Sequence, residues 1–238
     1  MLSAEAARLA ALEVLCPTAA LRGGDDFPTL AGARVLDSRL PGIDDLDQEA
    51  KFTPVLALFS TDSTVQPRGA AADMADTDSR AVLEIVAELA VAAKDEDGTF
   101  FADAMAADDW DARLVLAALC AQVRRLLSYD ERGRLFRRFV RQVERVTEET
   151  FAIPQLGARW HRVTMRFDLS LPDDEFTDDG GLPEPLKTLA GLLPEGSPAA
   201  ERLASLAAHF ATVVRTPLED VRFDETAGTA GLVAEMET

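Results

Sequence analysis

Arg162-Val163-Thr164-Met165-Arg166-Phe167-Asp168-Leu169-Ser170-Leu171 alternates polar and apolar residues without a break. Successive side chains of a strand point to opposite faces, so the run predicts a strand with one apolar and one polar face. Upstream, Pro54-Val55-Leu56-Ala57-Leu58-Phe59-Ser60 reads as a largely buried strand. Residues 81–93 carry two patterns at once. Leu83, Ile85, Ala87, Leu89 and Val91 alternate as in a strand, while Val82, Ile85, Val86 and Leu89 fit a helical stripe. The β-branched content favours the strand. Residues 33–40 predict a further short strand, ended by Pro41-Gly42.

Helical patterns surround these strands. Residues 3–16 place Leu9, Leu12 and Cys16 on one face and Glu5 with Arg8 on the other, with Ser3 as N-cap and Pro17 as stop. Trp110 to Ser128 predicts a helix capped by Asp108 or Asp109, its Arg124-Arg125 pair suited to the negative end of the dipole. Residues 130–149 interleave Leu135, Phe136, Phe139, Val140 and Val143 with Arg132, Arg134, Arg137, Arg138, Arg141 and Arg145, which predicts an amphipathic helix. Glu184–Leu193 and Pro198–Val214 predict two more helices, the second with Ser197 as cap and Pro198 at its first position. Residues 17–32, 94–98 and 172–181 read as loops, 61–80 as a mobile polar loop, and 217–238 as a loop or tail.

The chain has 238 residues, enough for one to two domains, and 47% hydrophobic with 28% charged residues is ordinary globular usage. Lys plus Arg number 24 against 42 Asp plus Glu, a net charge of -18. That balance argues against a general duplex-DNA binder and against an anionic membrane as partner. It suits solubility, or a surface that must repel nucleic acid. The basic residues are almost all Arg, which reads as coding bias of a GC-rich bacterial genome. Cys16 and Cys120 sit in apolar helical patterns, as buried thiols do, so a disulfide framework is not expected. No apolar run reaches the length of a membrane helix, and Met1-Leu2-Ser3-Ala4-Glu5 lacks a basic signal-peptide start. The expected location is the bacterial cytoplasm or a particle assembled there.

Three motifs of common enzyme classes are missing from the sequence. There is no Gly-x-x-x-x-Gly-Lys, no Gly-x-Gly-x-x-Gly and no Gly-x-Ser-x-Gly. The histidines, His161 and His209, read as an edge-of-strand residue and a partly buried helix residue, with no zinc-like clustering. Setting Gly98 at position six of a calcium loop puts Ala93 at position one and Ala104 where a bidentate Glu is required. No cofactor, no metal and no enzymatic activity are therefore expected. The Arg124–Arg145 cluster either forms ion pairs with Glu131, Glu144, Glu148 and Glu149 or docks a partner, an acidic protein face rather than DNA.

The N-terminal helix is followed by Pro28-Thr29-Leu30-Ala31-Gly32, Ala33-Arg34-Val35-Leu36-Asp37-Ser38-Arg39, Pro41-Gly42-Ile43-Asp44-Asp45-Leu46 and the strand at Pro54–Phe59, then a strand, a helix and a strand. This order, over roughly residues 1–171, resembles the tail terminator (tail completion) proteins of long-tailed bacteriophages and related prophage or gene-transfer particles. The resemblance implies an α+β fold, an α/β sandwich with helices packed on a mixed or antiparallel sheet. Residues 1–181 would form that domain, and residues 182–238 a C-terminal helical extension and tail. It implies a virion protein without chemistry: a homo-hexameric ring at the head-proximal end of the tail. That ring would meet the tail tube protein and the head–tail connector and pass DNA through its lumen. By position, Arg34, Asp37, Arg39, Asp44 and Asp45 are candidates for subunit contacts, with Arg134, Arg137, Arg138 and Arg141 as a second set. Loop 61–80 would order on assembly. The alternatives are another neck protein, an acidic adaptor using its Arg-rich helix, or an enzyme without a recognisable motif.

Overall fold

The computed structural model describes residues 1–47, 49–69, 77–94, 97, 100–106, 109–153, 158–176 and 180–210. Its strands are β1 (Val35–Asp37), β2 (Thr53–Pro67), β3 (Thr77–Lys94), β4 (Phe100–Ala104), β5 (Gln142–Ile153) and β6 (Ala158–Leu171). They form one sheet in the order β1-β2-β3-β6-β5, with β4 paired to the far end of β3. β1 runs parallel to β2 and every other pairing is antiparallel, so the sheet is mixed. Helices α1 (Leu2–Leu15), α2 (Thr18–Gly23), α3 (Trp110–Ser128), α4 (Arg134–Arg138), α5 (Leu186–Leu192) and α6 (Pro198–Ala207) complete the expected α+β fold.

The alternation of β6 fixes the register with β3. Leu83 lies opposite Phe167, Ile85 opposite Met165 and Ala87 opposite Val163, all buried on the face that carries the helices. On the other face Glu84 lies opposite Arg166 and Glu88 opposite Arg162. A one-residue slip would drive the charges into the core, so pattern and register enforce each other. Against the inner face α3 packs Leu116, Leu119, Val123 and Leu127, all fully buried. Each such side chain contributes about 1.5–3 kcal/mol by leaving water. The Asp109 carboxylate accepts from the amides of Asp111 (2.9 Å) and Ala112 (3.2 Å) and sets the helix start.

α1 is buried on nearly every side. Ala4, Ala7, Ala11, Val14 and Leu15 join the sheet core, while Ala6, Leu9 and Ala10 meet Leu186 and Leu189 of α5 and Leu203 of α6. Its alanines let both layers approach closely. Arg8, read as solvent-facing, is therefore buried and ion-paired, and Ser3 is a buried helical residue rather than the cap. The start is capped from a distance: Asp174 accepts from the amides of Leu2 (2.8 Å) and Ser3 (2.7 Å). Ser197 holds the N-cap position of α6 without a side-chain cap bond; its hydroxyl donates to Glu13 (3.3 Å) instead.

The structure corrects several expectations. Residues 130–149 are not one helix: a 3-10 turn, Glu131–Gly133, and the five-residue α4 lead straight into β5. Residues 61–67 and 77–80 of the expected mobile loop belong to β2 and β3, and residues 70–76 lie outside the described residues. Loop 17–32 contains α2. α6 stops at Ala207 and a 3-10 turn follows to Phe210; residues 211–214 of that expected helix and the expected tail at 217–238 lie outside the described residues. His161 sits inside β6 and is 2% exposed, and His209 is exposed in the final turn. No helix among the described residues is long and apolar enough to cross a membrane.

Candidate functional site

The first nominated group lies where β1 leaves the sheet. Arg39 grips Asp45 with both guanidinium nitrogens, at 2.6 and 2.8 Å, and the Gly42 amide donates to the same carboxylate at 2.8 Å. The hydrogen bond from Arg39 holds the Asp45 carboxyl below its ordinary value against opposing desolvation, and the same bond raises Arg39. Arg34 donates through Nε to the Asp45 carbonyl at 3.0 Å and lies 3.9 Å from Asp47. These bonds turn the loop into a rigid knuckle beside β1. Asp44 is exposed, with no side-chain partner among the described residues.

Asp37 belongs to a different arrangement. Its side chain is 7% exposed and is ion-paired to Arg8 of α1 and Arg202 of α6. It ties the first strand to the first and last helices, with Glu5 completing the pairing of Arg8. The sequence signal for this was weak, because Arg8 and Arg202 lie far from Asp37 along the chain. Asp37 is thus spent within the subunit, whereas Arg39 and Asp44 are exposed and Asp45 is 19% exposed beneath Arg39.

The second nominated group is split by the end of the expected helix. Gly133 lets α4 fold back under α3: a Cβ there would sit 1.9 Å from the Leu126 carbonyl oxygen. Arg137 then donates to the carbonyls of Leu127 (3.2 Å) and Asp130 (2.7 Å), closing the open end of α3. Arg134 is exposed and lies 3.4 Å from Glu131. Arg138 and Arg141 are exposed. Arg137 and Arg141, with Arg124, Arg145, Tyr129 and Glu144, line an open groove of about 540 Å³ between the end of α3 and the start of β5. Much of this charge is matched internally, Arg145 to Asp168 (2.6 Å) and Arg124 to Glu148 (3.7 Å).

Reactive chemistry finds little here. Burial pushes the Cys16 and Cys120 thiols up to about 11, so both stay protonated and unreactive at neutral pH. Among the described residues no group of three or more His, Cys, Asp or Glu side chains could hold a metal ion. Two features escaped the sequence reading. His161 is buried with neither ring nitrogen hydrogen-bonded. Trp110 and Leu114, one turn apart on α3, are exposed; their i, i+4 spacing off the buried stripe was the available signal. No family model, no curated protein and no solved structure matches this chain.

Proposed function

We propose that the chain is a structural assembly subunit of a phage-type tail, closing as a ring on the head-proximal end of the tail tube, stopping its growth and meeting the head connector. The observation that carries this reading is the arm formed by β2 and β3. β1 pairs with β2 only as far as Leu58, yet β2 continues to Pro67 with exposed side chains and one edge open among the described residues. A ring of identical copies needs a head-to-tail contact, a different surface on each side of the subunit. An open strand edge, with unpaired amides and carbonyls, is one such surface. The rigid Arg39–Asp45 knuckle beside β1 is a second feature suited to a neighbour. The net charge of -18 suits a lumen that repels DNA and lets it slide. The elements quoted for the resemblance occur in the same order, with α2, β4, α4 and β5 between them.

The role contains no reaction. Its partners are further copies of the chain, the tail tube and the connector, with DNA crossing the opening unbound. Deleting the gene and measuring tails by negative-stain microscopy tests it: overlong, headless tails are expected, and tails of normal length would overturn it. A neighbouring neck protein would give tails of normal length that fail to join heads. One observation favours a second reading, an adaptor that docks an acidic partner: the Arg-lined groove at the end of α3. Under that reading Arg141→Glu abolishes capture of one soluble partner and leaves particles unchanged.

A further inference from the structure

The outer face of α3 carries an apolar stripe that the chain itself does not cover. Trp110 is 75% and Leu114 62% exposed, and neither joins any apolar cluster among the described residues. Ala117, Ala118 and Ala121 are exposed on the same face, and Arg125 ends it, its side chain 77% exposed. At 100° per residue these six positions fall within about one third of the helix circumference. The stripe is symmetric about the point between Ala117 and Ala118: Trp110 mirrors Arg125, and Leu114 mirrors Ala121. Asp111 lies at the first end and Arg125 at the last; Arg113 stands beside the first, Asp109 and Arg124 are paired within the chain to Lys51 and Glu148, and Arg125 lies 3.6 Å from Asp130.

We infer that this stripe is a self-association surface, on which α3 of a second copy of the chain docks antiparallel about a two-fold axis between Ala117 and Ala118. In that arrangement the two alanine centres face each other, which permits the short end of the 8–10 Å range of helix separation. Leu114 of each copy fills the space left by Ala121 of the other. The Trp110 and Asp111 end of each helix lies against the Arg124 and Arg125 end of its mate. There the guanidinium meets both an aromatic face and a carboxylate. The two helix dipoles also oppose. A parallel pairing would instead set Asp111 against Asp111 and Arg125 against Arg125. A helix of 19 residues is about 28 Å long, so the interface lies near the lower size limit for specific association. The contact is reversible, and it is distinct from the head-to-tail contact a ring requires, because both copies use the same surface.

The test is sedimentation of the full chain over a concentration series at about 0.15 M salt, where charges more than about 8 Å apart are screened and net repulsion is weak. The wild type is expected to show a concentration-dependent dimer. Trp110→Lys with Leu114→Lys is expected to weaken it at least about tenfold while leaving circular dichroism and Tm unchanged, since both side chains are exposed. Asp111→Arg is expected to weaken it, and Asp111→Arg with Arg125→Asp to restore it. A wild type that stays monomeric, a dimer indifferent to the Lys pair, or a charge swap that fails to restore it would each overturn the inference. A larger ring insensitive to all these variants would overturn it too, while leaving the assembly role standing.

Discussion

β3 and β6 share one register but hold each other in two different ways. On the inner face Leu83, Ile85, Val163, Met165 and Phe167 are buried under α1 and α3, and the attraction is non-directional. On the outer face Arg162 meets Glu88 at 2.6 Å, and Arg166 meets Glu84 at 3.4 Å and Asp62 at 2.9 Å. Here the partner's identity matters as much as burial. Glu88 is 1% exposed, so its charge depends on Arg162. The inner face supplies most of the stability; the outer face reinforces the register through ion pairs.

The comparison breaks first on the inner face. Phe167→Ala removes a fully buried ring and should cost about 3–5 kcal/mol in urea denaturation; a loss below about 1 kcal/mol would mean that this face does not carry the fold. On the outer face, Arg162→Met strands the Glu88 carboxylate and should cost about 2–3 kcal/mol. Adding Glu88→Leu should recover most of that loss, a non-additivity readable in a double-mutant cycle. If the double variant is worse than the single, burial rather than pairing governs the site. A smaller effect of opposite sign is expected at His161, which by register shares the inner face and leaves both ring nitrogens unbonded. His161→Leu should raise stability by about 1 kcal/mol, seen as a higher Tm.

The smallest effect belongs to the exposed knuckle. Arg39→Ala should cost about 0.5 kcal/mol at neutral pH, because the pair is solvent-screened. Asp45 is held below its ordinary value by Arg39, so its contribution is present above the unfolded carboxyl range, near pH 4. It is lost as pH falls through the lower folded value. The gap between wild type and Arg39→Ala should therefore close on acidification below about pH 4. A gap that widens there would contradict the sign.

The same contrast explains what the sequence could disclose. β6 was legible because one face is apolar and the other polar without a break from Arg162 to Leu171. α3 was legible because an Asp pair marks its start, of which Asp109 proves to be the cap, and seven buried positions recur at helical spacing. Residues 130–149 misled for a physical reason. Val143 pairs with Leu169, Arg145 with Asp168 and Val146 with Phe167, so Glu144 is an extra, bulged residue. The bulge spaces the two inward valines three apart, which imitates a helix, and α4 with its C-cap residue supplies Phe136 and Phe139 at the same interval. The β2–β3 arm was read as a loop because residues 61–67 are all exposed; without a buried face, no alternation is imposed. Of the nominated site, the Arg39–Asp45 contact was within reach at six residues' separation. The Arg8–Asp37–Arg202 cluster was not, because only the packing of α1 and α6 brings it together.

The most direct test of the assembly role is the position of the chain in particles. Immunogold labelling of particles produced by a strain carrying the gene, read by electron microscopy, should place a single label at the junction of head and tail. A protein that stays wholly in the soluble fraction while unlabelled particles form would contradict the account.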